Sequence, residues 1–411
     1  MNAMTAPCSP PSFSFSKRTD ALKASEIREI LKITEREEII SFAGGLPAPE
    51  LFPVEELKHV SIQVLEEAGQ KALQYSTTEG YEPLRHQFAQ RMQQKFHTSF
   101  QGEDILITSG SQQALDLLGK VFLDEDDVVL CESPTYLAAL SAFRAYCPRF
   151  IEVPTDEEGM VPEALERILQ STTCIKFAYV IPDFQNPTGK TWSPSRRQAF
   201  MNLANQYRLP VIEDNPYGEL RFENEIPPSL QTLDQHGLVI SLGTFSKIFC
   251  PGMRIGWIAA HPEIRNKCVL LKQGVDLCTS LKTQMEISRF IDQYDFEARI
   301  QKIVSVYRQR RNAMLQALDD FLPADVSFTR PEGGLFLWLQ LPESIKAMEL
   351  LQDCLAQNVA FVPGDSFFPN GGVTNTLRLN YSNTPEEQIR EGVRRLAQAI
   401  EKRIGKTEKN E

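Results

Sequence analysis

The sequence predicts an α/β protein, with a mostly parallel sheet covered by helices on both faces and a smaller α+β domain after it. Three observations carry that expectation. From about residue 104, short β-rich apolar runs alternate with stretches of helical period, the pattern of strands joined by crossover helices. After about residue 323 the pattern changes to closely spaced strands with helices between and after them. The chain has 411 residues, 42% hydrophobic and 24% charged. That is the length of about two domains and the composition of a protein with a large core.

Taken in order, Met1 to Phe15 is rich in Ser and Pro and reads as a mobile tail, without the apolar stretch of a signal peptide. Ser25 caps a short expected helix in which Ile27, Ile30 and Leu31 share one face and Arg28 lies just off it. Ile39 to Phe42 is extended and ends in the turn Gly44-Gly45-Leu46-Pro47. Helices follow at about 54–69 and 82–96, separated by a loop through Tyr75. The alternating region then gives strands at 105–108, 128–131, 175–181 and 210–213, with helices near 112–122, 137–146 and 195–207. Val239 to Leu242 is a further apolar run. Long helical stretches at about 262–273 and 283–318 lead to strands at 326–328, 334–339, 359–362 and 376–380. In open α/β sheets ligands bind at the carboxyl ends of the strands, so the loops there are the place to look for function.

Composition narrows the classes. A formal net charge of −11 argues against a nucleic-acid partner, which calls for a basic face. No apolar run approaches the ~20 residues that span a bilayer, so no membrane segment is expected. The eight cysteines form no C-x-x-C pair and have no histidine at zinc spacing. They read as reduced thiols of a cytoplasmic protein, with no metal site.

The loop after Val239 to Leu242 contains Thr244, Ser246 and Lys247, with Phe245, Ile248 and Phe249 around the lysine and Arg254 beyond Pro251-Gly252. Apolar neighbours disfavour an ammonium and leave a nucleophilic amine. Two hydroxyls and a guanidinium can converge on a phosphate. Together they suit a phosphorylated aldehyde; the alternative is a surface lysine in a Ser/Thr turn. Ser109-Gly110-Ser111-Gln112 joins a strand to a helix, either as an anion site at the helix start or as an ordinary cap. Asn186-Pro187 is either a structural turn or an amide donor to a phenolate oxygen. Asp214 ends a strand as a solvated acid, or else faces a pyridine nitrogen and holds it protonated. Tyr136 packs in the core or stacks on an aromatic ring. Arg378, between Leu377 and Leu379, pairs with an internal acid or with a substrate carboxylate.

In this order the segments G-S-Q-Q, S-P-T-Y, N-P-T-G, E-D-x-x-Y, T-F-S-K-x-x-x-P-G-x-R-x-G and L-R-L resemble those of the fold-type-I pyridoxal-phosphate (PLP) aminotransferases. Ser41 to Glu50, Leu73 to Ser76, Phe184 to Gly189 and Phe361 to Gly364 are similar to the 2-aminoadipate/kynurenine aminotransferase group in particular. The likeness runs from about residue 24 to about residue 399. It implies a large PLP-binding domain at 51–290 and a small C-terminal domain at 291–411. A segment at 21–50 would pack on the small domain and the active site, after a tail at 1–20.

The resemblance also assigns residues. Lys247 would bind the cofactor aldehyde covalently and then carry the proton. Asp214 would pair with the ring nitrogen, Asn186 and Tyr217 with the phenolate oxygen, and Tyr136 would stack on the ring. Ser111, Gln112, Thr244, Ser246 and Arg254 would hold the phosphate, joined by Tyr75 from a second subunit of a homodimer. Arg378, assisted by Asn186, would grip the substrate α-carboxylate near Gly45, and Arg28 would recognise a distal acid. Two departures bear on the donor: Asp183, which would oppose an acidic side chain if it faces the site, and Asn215-Pro216. The implied reaction is transfer of an amino group between an α-amino acid (2-aminoadipate, aromatic or branched/aliphatic) and 2-oxoglutarate. Its rivals are a PLP lyase or decarboxylase on the same scaffold and a ligand-sensing regulator, which needs a basic DNA-binding module ahead of residue 21.

Overall fold

The computed structural model describes residues 13–20, 36 and 38–407. A single helical turn spans Lys17–Asp20, and the short strand β1 spans Ile40–Ser41. Helices α1 (Val54–Ala72) and α2 (Glu82–Phe96) lead into an eight-stranded sheet. Its strands are β2 (Ile105–Thr108), β3 (Val128–Ser133), β4 (Arg149–Asp156), β5 (Gly159–Met160), β6 (Ile175–Val180), β7 (Val211–Asp214), β8 (Val239–Thr244) and β9 (Gly256–Ala259). They lie in the order β2-β9-β8-β7-β6-β3-β4-β5. Only β9 and β5 run against the rest. The carboxyl ends of β2, β3, β6, β7 and β8 therefore share one edge of the sheet.

Alternate residues of these strands face opposite sides, as the pleat requires. Val128 and Leu130 of β3 and Ala178 and Val180 of β6 join one apolar cluster, with Phe200 and Met201 of the helix Pro194–Tyr207. Val129, Phe177, Tyr179 and Ile212 join the other, with Ala114, Leu117 and Leu118 of the helix Ser111–Phe122. Helices thus cover both faces, and wholly buried residues such as Val128 and Leu130 contribute about 1.5–3 kcal/mol each.

The second sheet is antiparallel and four-stranded, formed by β10 (Ser327–Phe328), β11 (Phe336–Gln340), β13 (Val362–Pro363) and β14 (Thr376–Asn380) in the order β10-β11-β14-β13. β12 (Val359–Ala360) instead pairs with β1 in parallel, so the run read as one strand at 359–362 serves two sheets. The helical stretch read at 283–318 is two helices, Leu281–Gln293 and Phe296–Phe321. The break comes at Asp295, whose carboxylate caps the second helix by accepting from Ala298 N at 2.9 Å. β4, β5 and the helix Pro162–Ser171 have no counterpart in the sequence reading. β4 carries Arg149, Glu152, Pro154 and Asp156 and is only partly buried beside the outermost strand, so its apolar signal is weak. Among the described residues, no helix is long and apolar enough to cross a membrane.

Candidate active site

A cavity of about 310 Å³ opens at the shared strand edge, lined by Ser111, Gln112, Tyr136, Ile181, Asp214, Pro216, Tyr217, Thr244, Ser246, Lys247, Pro251 and Arg254. Topology explains the convergence. Ser111 and Gln112 follow β2, Tyr136 follows β3, Asp214 ends β7 and Thr244 ends β8. Lys247 comes three residues later on a loop whose Phe245, Ile248 and Phe249 are buried. Phe245 stacks on Phe88 at 4.8 Å between ring centroids, and Phe249 meets Phe290 edge-on at 4.8 Å. The apolar neighbours therefore anchor the loop from behind while the lysine faces the cavity.

Lys247 Nζ donates to the carbonyl of Gly45 at 2.7 Å, which ties the loop to the segment after β1. Burial pushes the amine down to about 8, and the cations Arg378 and Arg254 push the same way. Asp214 is 2% exposed, and burial pushes its carboxyl up to about 6 against the opposing pull of a hydrogen bond from Tyr179. Its Oδ2 accepts from Tyr179 Oη at 2.8 Å, while Oδ1 has no partner. Burial also raises Tyr136 to about 12 and raises Tyr217 further.

At the other end of the cavity, Thr244 Oγ1 accepts from Ser246 N at 3.1 Å and lies 3.0 Å from Ser246 Oγ. Arg254 is exposed, with Nη2 directed at Ser109 O at 3.4 Å. Gly110 caps the helix that begins at Ser111 with a φ of +76°, and a Cβ there would lie 2.6 Å from Arg254 Nη2. Glycine is needed both for the conformation and for the approach of the guanidinium. The result is a helix N-terminus, three hydroxyls and a guanidinium around one space, a set of donors suited to an anion.

Arg378 is buried, and burial lowers it to about 10, so it stays charged at neutral pH. Its Nη1 donates to Asn186 Oδ1 at 2.8 Å and its Nη2 to Ala43 O at 2.9 Å, leaving Nε without a partner. The bond to Oδ1 orients the amide, so that Asn186 Nδ2 points at Tyr217 Oη, 3.5 Å away. The guanidinium lies over the ring of Phe336 at 4.1 Å.

Tyr75 is not part of the cavity of its own chain; it is 76% exposed. Arg28 lies outside the described residues. Asp183 does not face the site, because it is buried between Arg197 at 2.8 Å and Arg221 at 3.0 Å. Asn215 uses its side chain to accept from Gly218 N at 2.8 Å, and Pro216 lines the cavity.

The sequence reading missed Tyr179, whose contact with Asp214 depends on strand register. It also missed Asp276, which accepts from Lys272 at 2.6 Å, Gln113 at 2.7 Å and Ser109 Oγ at 3.2 Å and so braces the loop under Arg254. An acid four residues after Lys272, on a helix that ends at Gln273, was the available signal for the second.

A family model described as aminotransferase class I and II matches residues 37–396. The aromatic-amino-acid aminotransferase 1 of Thermococcus litoralis is 47% identical over 396 residues, which cover 95% of this chain and 95% of that protein. Among solved structures, a multiple substrate aminotransferase from Thermococcus profundus superposes with a TM-score of 0.91 at 45% identity, covering 95% of this chain and 98% of that one. The α-aminoadipate aminotransferase of Thermus thermophilus, complexed with N-(5'-phosphopyridoxyl)-L-leucine, gives 0.89 at 45% identity, with the same coverage.

Proposed function

The chain belongs to the aminotransferase class I and II family, and from that premise we propose that it moves amino groups between 2-aminoadipate, aromatic or branched and aliphatic α-amino acids and 2-oxoglutarate. The observation that carries the reading is one cavity holding a half-buried amine lowered to about 8, Lys247, and a buried carboxylate with an unpartnered oxygen, Asp214. These groups fit pyridoxal phosphate. A neutral amine suits its aldehyde, the vacant Oδ1 suits its ring nitrogen, and the donors at Ser111, Gln112, Thr244, Ser246 and Arg254 suit its phosphate. When bound, the cofactor supplies a ring that accepts the electron pair of the Cα–H bond.

The residues then divide the work. Arg378 binds the α-carboxylate of the amino acid as a charged hydrogen-bond donor, with its unpartnered Nε in reserve. Asn186 Nδ2 and Tyr217 Oη, which lie 3.5 Å apart, would donate to the phenolic oxygen of the cofactor. Tyr136 would stack on the ring, and Asp214 would keep the ring nitrogen protonated. Lys247, its amine free between steps, takes the proton from Cα and returns it. With the cofactor bound, an amino acid and water would give the 2-oxo acid while the amino group stays on the cofactor, until a second 2-oxo acid takes that group and water is released.

The similarity to aminotransferases named for aromatic amino acids and α-aminoadipate supports a donor range that spans acidic and apolar side chains. A homodimer brings Tyr75 of one subunit to the phosphate of the other. The exposure of Leu73 (72%) and Tyr75 (76%) at the end of α1 supports such a partner face. All cysteines among the described residues are free, which supports a reducing, cytoplasmic setting.

The test is a panel of amino donors against 2-oxoglutarate, together with a single-donor experiment. Mixed with an amino acid alone, the enzyme releases one equivalent of 2-oxo acid per site and stops until a second 2-oxo acid is added. Continuous turnover without an acceptor contradicts the reading.

A further inference from the structure

Tyr179 is a wholly buried phenol that lies outside the set of cavity-lining residues. It sits on β6, paired with Ile212 of β7, so both side chains point to the same face of the sheet. Asp214 is two residues further along β7 and faces the same way, about 6.6 Å on. A tyrosine is long enough to span that step, and its hydroxyl reaches Asp214 Oδ2 at 2.8 Å. The ring is fixed edge-on against Phe143 with centroids 5.8 Å apart. One carboxylate oxygen is thereby occupied by a rigid donor while the other, Oδ1, is buried without a partner on a residue that lines the cavity.

Asp183 Oδ2 and Asp365 Oδ1 are also buried without a partner, but of the three acids only Asp214 lines this cavity, where a ligand can complete it. We propose that Tyr179 is a positioning residue for the reaction: by donating to Oδ2 it orients Asp214 so that only Oδ1 meets the cofactor's ring nitrogen, and it keeps the proton they share on the ring. The inference rests on the role given to Asp214 above.

The physical argument is a competition for one proton. Burial in an apolar site drives Asp214 towards its neutral form, and a neutral carboxyl leaves the ring nitrogen uncharged. A donor to the charged carboxylate opposes that drift. The ionisable groups whose own titration Asp214 influences are Tyr136, Tyr179 and Tyr217, all of which burial keeps neutral. Of the three, only Tyr179 donates a hydrogen bond to Asp214.

Tyr179→Phe removes the hydroxyl and keeps the ring. In cofactor-free protein carrying 13C-labelled aspartate, the Asp214 midpoint is expected to rise by about one unit in the variant. Pyridoxal phosphate dissociation, followed by absorbance, should weaken about tenfold, and kcat should fall more than KM. Asp214→Asn and the double variant separate the possible failures. If Tyr179 acts through Asp214, adding Tyr179→Phe to Asp214→Asn changes cofactor affinity little. An unmoved Asp214 midpoint, or losses that simply add in the double variant, would overturn the proposal for Tyr179. Asp214→Asn with parental cofactor affinity and turnover would instead overturn the role given to Asp214.

Discussion

The two ends of the cavity are built on opposite plans. At the Asp214 end a carboxylate is buried at 2% exposure, and the described groups whose titration it shifts, Tyr136, Tyr179 and Tyr217, are tyrosines kept neutral by burial. At the Arg254 end the cation and Gln112 are exposed, and the donors are spread over two hydroxyl-bearing loops, a helix start and a guanidinium. A dry end makes a protonation state well defined, because a low local dielectric magnifies each hydrogen bond. A wet end with many donors holds an anion without depending on any single group. On the proposed function, the chemistry would belong at the first and the tether at the second.

Substitutions can break or sharpen that contrast. Lys247→Ala should reduce turnover by about 10⁴-fold or more in a steady-state assay, with the far-UV spectrum unchanged. Arg378→Ala should raise KM for every amino donor by about 100-fold, since it removes a charged anchor common to all of them. Arg254→Gln should weaken pyridoxal phosphate binding by about tenfold and make the remaining affinity less sensitive to salt in equilibrium dialysis. Gln112→Ala, at the same exposed end, should shift affinity by less than about threefold.

A pH experiment addresses the lysine directly. Its folded value of about 8 lies below the value of 10.5 for a free lysine, so between those limits the unfolded chain binds more protons. Stability referable to Lys247 therefore rises as pH climbs from about 8 to 10.5, and the strain of a buried ammonium is greatest below 8. Lys247→Met should accordingly be more stable than the parent at pH 7 in urea titrations, with the advantage shrinking as pH rises from about 8 to 10.5. In cofactor-free protein an amine-directed reagent should modify Lys247 with a midpoint near 8.

Local chemistry made one part of this architecture legible from residues alone. Thr244 ends β8, and Ser246, Lys247 and Arg254 follow it before β9, so their convergence needs little help from the rest of the fold. The alternation of strands and helices likewise gave the sheet and the edge on which Asp214 and Tyr136 would meet. Long-range contacts were not legible. Tyr179 reaches Asp214 only because Tyr179 pairs with Ile212, a register no local pattern encodes. From sequence, Asp183 would oppose an acidic substrate side chain if it faced the site, yet Arg197 from a helix and Arg221 from a later loop bury it as an ion pair. Charged residues along Arg149–Asp156 hid a strand that is only half covered.

The central claim is that Lys247 is the amine that joins the cofactor. Borohydride reduction of the enzyme loaded with pyridoxal phosphate, followed by peptide mass mapping, tests it most directly. The account predicts a pyridoxyl-phosphate mass on the peptide containing Lys247, at one equivalent per chain. A label on another lysine, or none at all under saturating cofactor, would contradict it.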